Sequence, residues 1–366
     1  MTKINILSQG RFHMLDLARE LDHTGFDIKF YSFIPTSRCI KFGLQKKCIV
    51  SLFGIIAPFL ILRRIFPKLS WIHIKVQDFI MGIFMRKCDI CISLTGYVYA
   101  PRIAQKKGAI IIMERGSKHI LEQKKILEKN PHKKNEAIPN RNIKCNLKAY
   151  QFANFISVAS QHVKESFLLH QYPENRIFVN PYGVDLSMFK PLPNIPKKYD
   201  VIMVGGWGYE KGCDLIVEAI RKTNYSFIHV GSIKDVDFPQ EQNFTHIDPV
   251  DQSKLIEYYN QAKVFILPSR QDGFGMVLSQ ALACNLPIIG SNNCGAPDLK
   301  KMVELPEYIT IIKDYTADAI VTAIHTAIKN YEQLGERIYA GNAIENLTWE
   351  AYGKRYANFL HKIIKQ

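Results

Sequence analysis

Apolar residues fall along this chain in two alternating rhythms. Short, mainly apolar strand-like runs occupy residues 3–7, 26–33, 89–94, 109–113, 156–159, 177–180, 200–204, 227–231 and 264–267, with Ile288 and Ile289 opening another. Such runs, closed by Gly or Pro, read as strands buried on both faces. Between them, apolar positions recur at helical spacing. Leu15, Leu17, Ala18 and Leu21 predict a helix ended near Gly25, and Leu215, Ile216 and Ala219 another. Val277, Leu278, Ala281 and Leu282 predict a helix that begins at Gly275 and stops before Pro287, and residues 347–364 a final amphipathic one. Strand–helix alternation of this kind builds a doubly wound α/β fold with parallel strands. Residues 191–199 are rich in proline and lysine and predict a hinge. The expected division is therefore 1–190, 191–348 and a closing helix over 349–366.

Residues 48–62 break the pattern. They are nearly all apolar, interrupted by Pro58 and followed by Arg63, Arg64 and Lys68. The run is shorter than the ~20 residues a spanning helix needs. Residues 72–84 add apolar surface, with Trp71, Arg86 and Lys87 at the edges. Aromatic and cationic flanks suit an element lying in a membrane interface. A hydrophobic core helix fits the same pattern.

With 366 residues and 47% hydrophobic content, the chain is long enough for two domains. Its charge of +15 is unevenly spread: residues 1–190 hold 30 Lys+Arg against 13 Asp+Glu, and residues 191–366 hold 18 against 20. A basic first half points to an anionic partner such as a lipid surface or a phosphorylated acceptor, or else merely solubilises. Nucleic acid fits poorly, because the cations of 118–148 are not interleaved with stacking aromatics. The chain enters a strand-like run directly from Met1, so a signal peptide is not expected. The eight cysteines then read as buried thiols of a reducing cytoplasm. The Cys88–Cys91 pair, three apart on an expected strand, should point to opposite faces.

Candidate chemistry sits at the ends of the expected strands, where an open parallel sheet places it. After the 264–267 run, the loop Ser269 to Phe274 holds Asp272 between Arg270 and two glycines, Gly273 and Gly275. With the first free N–H groups of the following helix, it forms an anion site. A second glycine-rich turn, Gly205 to Gly212, carries Lys211, which is either a phosphate ligand or an exposed helix-end lysine. The first turn places Gly10 and His13 after the opening strand; His13 is open to a substrate contact or to a capping or packing role. Glu114, Arg115 and His119 follow the 109–113 run and line a cleft or form a structural salt-bridge cluster. The stretch 118–148, with eight lysines and one arginine, reads as a mobile basic loop with helical pieces, a candidate acceptor or membrane contact.

The run Asp272-Gly273-Phe274-Gly275, then Gln280, Ala281, Ala283 and Pro287, resembles the signature of the retaining family 4 glycosyltransferases. So do Pro181, Gly183, Val184, Asp185 and Phe189-Lys190-Pro191, and Glu210-Lys211-Gly212. The sequence departs from that pattern at Asp272 and Gln280, where the family has Glu, and at Tyr182, Gly206 and Asn285. The resemblance implies a GT-B fold: two Rossmann-like doubly wound domains facing a central cleft, with a C-terminal helix crossing back to the first. It implies an acceptor-side domain over 1–190 and a donor domain over 191–348. It implies Asp272, His119 and Glu114 as catalytic, and Gly10, Lys211, Gly273, Phe274, Gly275 and Gln280 as donor-binding. Arg270 is the expected substitute for a cation missing at Gly206, and His13 and Arg115 are expected on the acceptor side. The donor would be a UDP- or GDP-sugar, with neither metal nor other cofactor. The acceptor would be a glycan or lipid-linked precursor of cell-envelope polysaccharide, at the cytoplasmic face of a membrane. The alternative is a degenerate GT-B chain that binds nucleotide-sugar or a partner without transfer.

Overall fold

The structure, a computed structural model, describes residues 1–66, 69, 72–132, 138–334 and 341–365. Lys68, Trp71, residues 133–137 of the basic stretch and the terminal Gln366 lie outside them.

Seven parallel strands form the first sheet: β1 (Lys3–Leu7), β2 (Asp27–Ser32), β3 (Ile49–Ser51), β4 (Ile90–Leu94), β5 (Ile110–Arg115), β6 (Phe155–Val158) and β7 (Ile177–Val179), in the order β3-β2-β1-β4-β5-β6-β7. Six parallel strands form the second: β8 (Tyr199–Val204), β9 (Phe227–Val230), β10 (Phe244–Ile247), β11 (Ala262–Leu267), β12 (Ile288–Ser291) and β13 (Ile309–Ile312), in the order β10-β9-β8-β11-β12-β13. In each sheet the order in which the chain adds strands reverses once, between β1 and β4 and between β8 and β11. Those switch points open a crevice beyond the strands' carboxyl ends.

The central strands are the fully buried apolar runs, as the sequence pattern requires. The strands it did not show are β3, β10 and β13, all at sheet edges, where one neighbour is missing and polar residues interrupt the run (Ser51; Thr245 and His246; Thr310). Cys88 precedes β4 rather than lying on it, so strand alternation does not separate it from Cys91. Both thiols are free and buried in one apolar cluster.

The apolar stretch after β3 becomes the helix Phe53–Ile65, with Pro58 inside it, followed by the helix His73–Phe84. Of the first helix only Ile56 is buried, so it is not a core helix. Phe53, Ile55, Ile61, Leu62 and Ile65 are exposed, as are Ile74, Phe79, Ile83 and Phe84 on the second. An apolar face of this extent is unusual on a soluble surface. Among the described residues, no helix is long and apolar enough to cross a membrane.

The last helix, Trp349–Ile364, packs back on the first-sheet body. Thr348 caps its N-terminus by accepting from the Ala351 N–H. Gly353 meets Glu20 of the first helix, and Arg355 donates to Asn180 Oδ1 (2.7 Å) and the Pro181 carbonyl (2.8 Å). The expected hinge is pinned to the second-sheet body by Leu192 N–H to Asn260 Oδ1 and Lys198 N–H to the Gln261 carbonyl.

Candidate functional site

The loops that leave β8 and β11 meet in the crevice of the second sheet. The β8 loop turns through Gly205 and Gly212, both at positive φ, which a Cβ would disfavour. That turn presents Lys211, whose Nζ lies 2.5 Å from Asp272 Oδ2 on the β11 loop. Burial pushes the Lys211 ammonium down, but the charges of Asp272 and Glu210 outweigh it and hold its pKa above the ordinary value. Two residues expected on the donor thus neutralise each other. Gly275, at φ 80°, is the N-cap of the helix Met276–Ala283 and aims its first N–H groups into the crevice.

Several expected donor contacts have other duties. Arg270 makes a two-pronged ion pair with Asp214 (2.5 and 2.8 Å) and stacks on Tyr209, 3.8 Å from the ring centre, so it does not stand in for the cation missing at Gly206. Phe274 is a core residue: its ring fills the space that a side chain at Gly295 would need. Gly273 serves the contact between the two halves, since an added Cβ would fall 2.1 Å from the Gly116 carbonyl oxygen. Gln280 accepts from the Tyr259 hydroxyl (3.0 Å). It lines a cavity of about 150 Å³ together with His13, Met276 and Trp349. Gly10 sits in the β1 turn, its carbonyl accepting from Ser8.

On the first sheet, Glu114 lies inside β5, in register with Leu94 and Ser157, rather than in a loop beyond it. It is fully enclosed. His13 Nε2 stands 3.1 Å from one oxygen and the Tyr356 hydroxyl 2.7 Å from the other. Burial pushes the carboxyl up, yet hydrogen bonding and charge from His13, with Ser157 and Tyr356, hold it below the usual range. His13 stacks on Tyr182 (4.4 Å between centroids), whose ring meets Phe274 edge-on. The Glu114–His13–Tyr182 chain therefore runs from the first sheet to the donor loop.

Arg115 and His119 turn away from the crevice. Arg115 spends its guanidinium on the Lys118 carbonyl, Asn146 and Gln123, bracing the turn it belongs to. His119 caps the helix Ile120–Leu127 and packs between Tyr150, Phe167 and His170; burial and the charges of His170 and Arg115 drop its pKa to about 3. It is a neutral packing residue.

Three other residues take the places that sequence reasoning gave to these. Lys118 reaches across to Asn293 Oδ1 (2.6 Å), from the loop whose Ser117 also bonds Gln271. His162 is buried, with both ring nitrogens unpartnered, beside the backbone of Asp272 and Gly273; burial and Lys118 push it down to about 3. Lys234, after β9, occupies the room left by Gly206, where an added Cβ would stand 2.3 Å from its Cε and 2.8 Å from its Nζ. Lys234, Lys211, Gly206 and Gly208 line a cavity of about 160 Å³, with Glu210 and Asp235 also in its wall. No local pattern marks Lys234; the only signal is the gap at Gly206. Among the described residues, no group of three or more His, Cys, Asp or Glu side chains is arranged to hold a metal.

Residues 187–343 match the family model of glycosyl transferases group 1. A probable sucrose-phosphate synthase of Thermosipho melanesiensis is 26% identical over 242 residues, 58% of this chain and 56% of that protein. A GDP-mannose-dependent alpha-(1-6)-phosphatidylinositol monomannoside mannosyltransferase of Mycolicibacterium smegmatis is 23% identical over 57% of this chain and 62% of that one. The match thus spans little more than half of these relatives' lengths. Among solved structures, Anabaena HepE in complex with UDP and glucose superposes with a TM-score of 0.67 at 13% identity, over 99% of this chain and 100% of the other. Residues 187–343 are accordingly similar to group 1 glycosyltransferases, and the chain has the GT-B fold.

Proposed function

We propose that the protein transfers a hexose-type sugar, with retention, from a UDP- or GDP-sugar to a glycan or glycolipid acceptor of cell-envelope polysaccharide. The observation that carries this reading is that Lys211 and Lys234 share a cavity with the glycine turn after β8, and that Lys211 reaches Asp272 in the glycine turn after β11, at the switch point of the second sheet. In the reaction the bond from the anomeric carbon to the diphosphate oxygen breaks. Negative charge then grows on the diphosphate and positive charge on the sugar ring. Lys211, Lys234 and the N–H groups opening Met276–Ala283 oppose the first without calling on a metal. Asp272, released from Lys211 as the diphosphate takes over that cation, orients the sugar and tolerates the ring's charge. The acceptor oxygen bonds the same carbon from the face the diphosphate leaves, and its proton departs with the nucleoside diphosphate. The exposed apolar face of helices Phe53–Ile65 and His73–Phe84, with Arg63 and Arg64, suits a site of action at the cytoplasmic face of an anionic membrane.

Cavities of about 150 and 160 Å³ are too small for a nucleotide-sugar, which needs several hundred Å³ by the order of magnitude of known sites, so the halves part to admit it. The Lys211–Asp272 ion pair and Gln280 favour a second reading, binding without transfer. Thermal shift and release of free nucleotide with UDP-, GDP- and ADP-sugars separate the two. The expected result is a selective shift with turnover. Lys211→Ala should weaken donor binding by roughly ten- to a hundredfold, the worth of one charged hydrogen bond. A shift without turnover, even with membrane extract as acceptor source, supports the second reading. No shift with any nucleotide overturns both.

A further inference from the structure

A cavity of about 960 Å³ opens in the first-sheet body, between the helices His73–Phe84, Tyr99–Lys106, Ile120–Leu127 and Asn140–Phe152. It is outside the donor crevice and several times larger than either space there. Seven of its lining residues are cationic and one is acidic. The acid, Asp78, accepts from the backbone N–H groups of Val98, Tyr99 and Ala100 (2.7–2.8 Å), so its charge is committed to starting a helix. Arg102, Lys106, Lys144 and Lys148 stand exposed at the cavity, and none has a carboxylate within ion-pair distance among the described residues. Arg115, pinned by Asn146 and Gln123, places a fixed positive charge in the lining.

The rest of the lining is of opposite character. Ile74, Phe79, Tyr99 and Ile103 contribute apolar area, and Ile74 and Phe79 also belong to the exposed apolar face described above. Unpaired cations gathered at one space raise the potential there and concentrate anions. Continuity between that charge and an apolar surface selects an anion with a hydrocarbon tail.

We infer that this cavity binds the phosphate group of an acceptor lipid with net negative charge, with its acyl or prenyl chain laid along the Ile74–Phe79 face toward the bilayer. The cavity and the donor crevice share a wall. Arg115 lines the first, while Gly116, Ser117 and Lys118 touch Gly273, Gln271 and Asn293 in the second. A head group bound by its phosphate could thus extend a hydroxyl past that turn. Only in calling the occupant an acceptor does the inference rest on the transfer reaction proposed above.

Cys145 supplies the test. It lines the cavity and is half-buried, whereas the other seven cysteines are buried. The full chain is reacted with a maleimide in the presence of vesicles of phosphatidylcholine, the same vesicles with one-fifth phosphatidic acid, or soluble glycerol 3-phosphate. Cys145→Ser identifies the labelled thiol. Labelling should slow about tenfold or more with phosphatidic acid and stay unchanged with phosphatidylcholine alone. The Lys106→Ala/Lys144→Ala/Lys148→Ala variant should lose that protection, with vesicle affinity falling on the order of a hundredfold. Removing three lysines elsewhere (Lys41, Lys46 and Lys107) should lower vesicle affinity and leave protection of Cys145 in place. Equal labelling under all conditions, protection by phosphatidylcholine alone, or protection that survives the cavity triple variant overturns the inference. Protection by glycerol 3-phosphate equal to that by lipid also overturns it, in favour of a soluble phosphate ligand. Thermal shift with the nucleotide-sugar is read on the same samples. A retained shift without protection rejects only the lipid site, and protection without a shift rejects only the donor assignment.

Discussion

Gly206 has no side chain, and Lys234 takes the room. A lone glycine in a turn reads as backbone freedom, but here the vacancy is filled by an ammonium brought 28 residues along the chain, beside Lys211. If both lysines oppose the donor's diphosphate, Lys234→Ala should weaken donor binding about tenfold or more, the scale of one charge-assisted hydrogen bond. The double variant Gly206→Arg/Lys234→Ala, which moves the cation to the other backbone position, should restore most of it. Calorimetric titration of both variants decides the matter; an unaltered affinity in Lys234→Ala removes Lys234 from the site. The same scale separates residues whose type suggested chemistry from those placed to perform it. Arg115, His119 and Arg270 are consumed by hydrogen bonds, packing and an ion pair. Lys118, His162 and Lys234 carry no motif, yet they face or adjoin the crevice loops.

The C-terminal helix Trp349–Ile364 closes over the first-sheet body and supplies Tyr356 to Glu114. Its amphipathic spacing made the helix itself legible in sequence. Its docking onto a buried carboxylate was not, because Glu114 and Tyr356 are 242 residues apart. Tyr356→Phe leaves that carboxylate one donor short in a dry site, and should cost about 1–3 kcal/mol in urea unfolding at pH 7. Glu114 has its folded pKa held below the unfolded value, so its contribution is present above the ordinary carboxylate range and is lost as pH falls through the folded pKa. The penalty of Tyr356→Phe should therefore shrink in acid as the carboxylate protonates. A penalty that stays constant as the pH is lowered from 7 to the onset of acid unfolding would show that Tyr356 acts by packing alone.

At the scale of the molecule, the halves meet through backbone and small polar groups. Gly273 lies against Gly116, Ser160 donates to the Gly273 carbonyl, and Gln161 N–H donates to Asp298. Gly273→Ala would set a methyl 2.1 Å from a carbonyl oxygen that has no flexible side chain to yield, so the two bodies must separate. Turnover should fall on the order of a hundredfold while thermal stability changes little, since ångström-scale misplacement of reacting groups has that cost. Small-angle scattering should show a larger radius of gyration. Unchanged scattering and turnover would mean that this contact does not set the working geometry.

Sequence by itself determined the strand–helix alternation, the central strands of both sheets and the two glycine turns. Those features are written in local periodicity and in backbone conformations that only glycine adopts easily. Three edge strands, β3, β10 and β13, escaped it, because with one neighbour each they need not be wholly apolar. What the tertiary structure decided is which charges are spent and which are left over. Arg270 finds Asp214 and Lys211 finds Asp272, while Lys234 enters the gap at Gly206 and Arg102, Lys106, Lys144 and Lys148 gather at one cavity. A charge's role depends on the partner within hydrogen-bond reach, and that partner is chosen by folding across tens to hundreds of residues, where no local pattern extends.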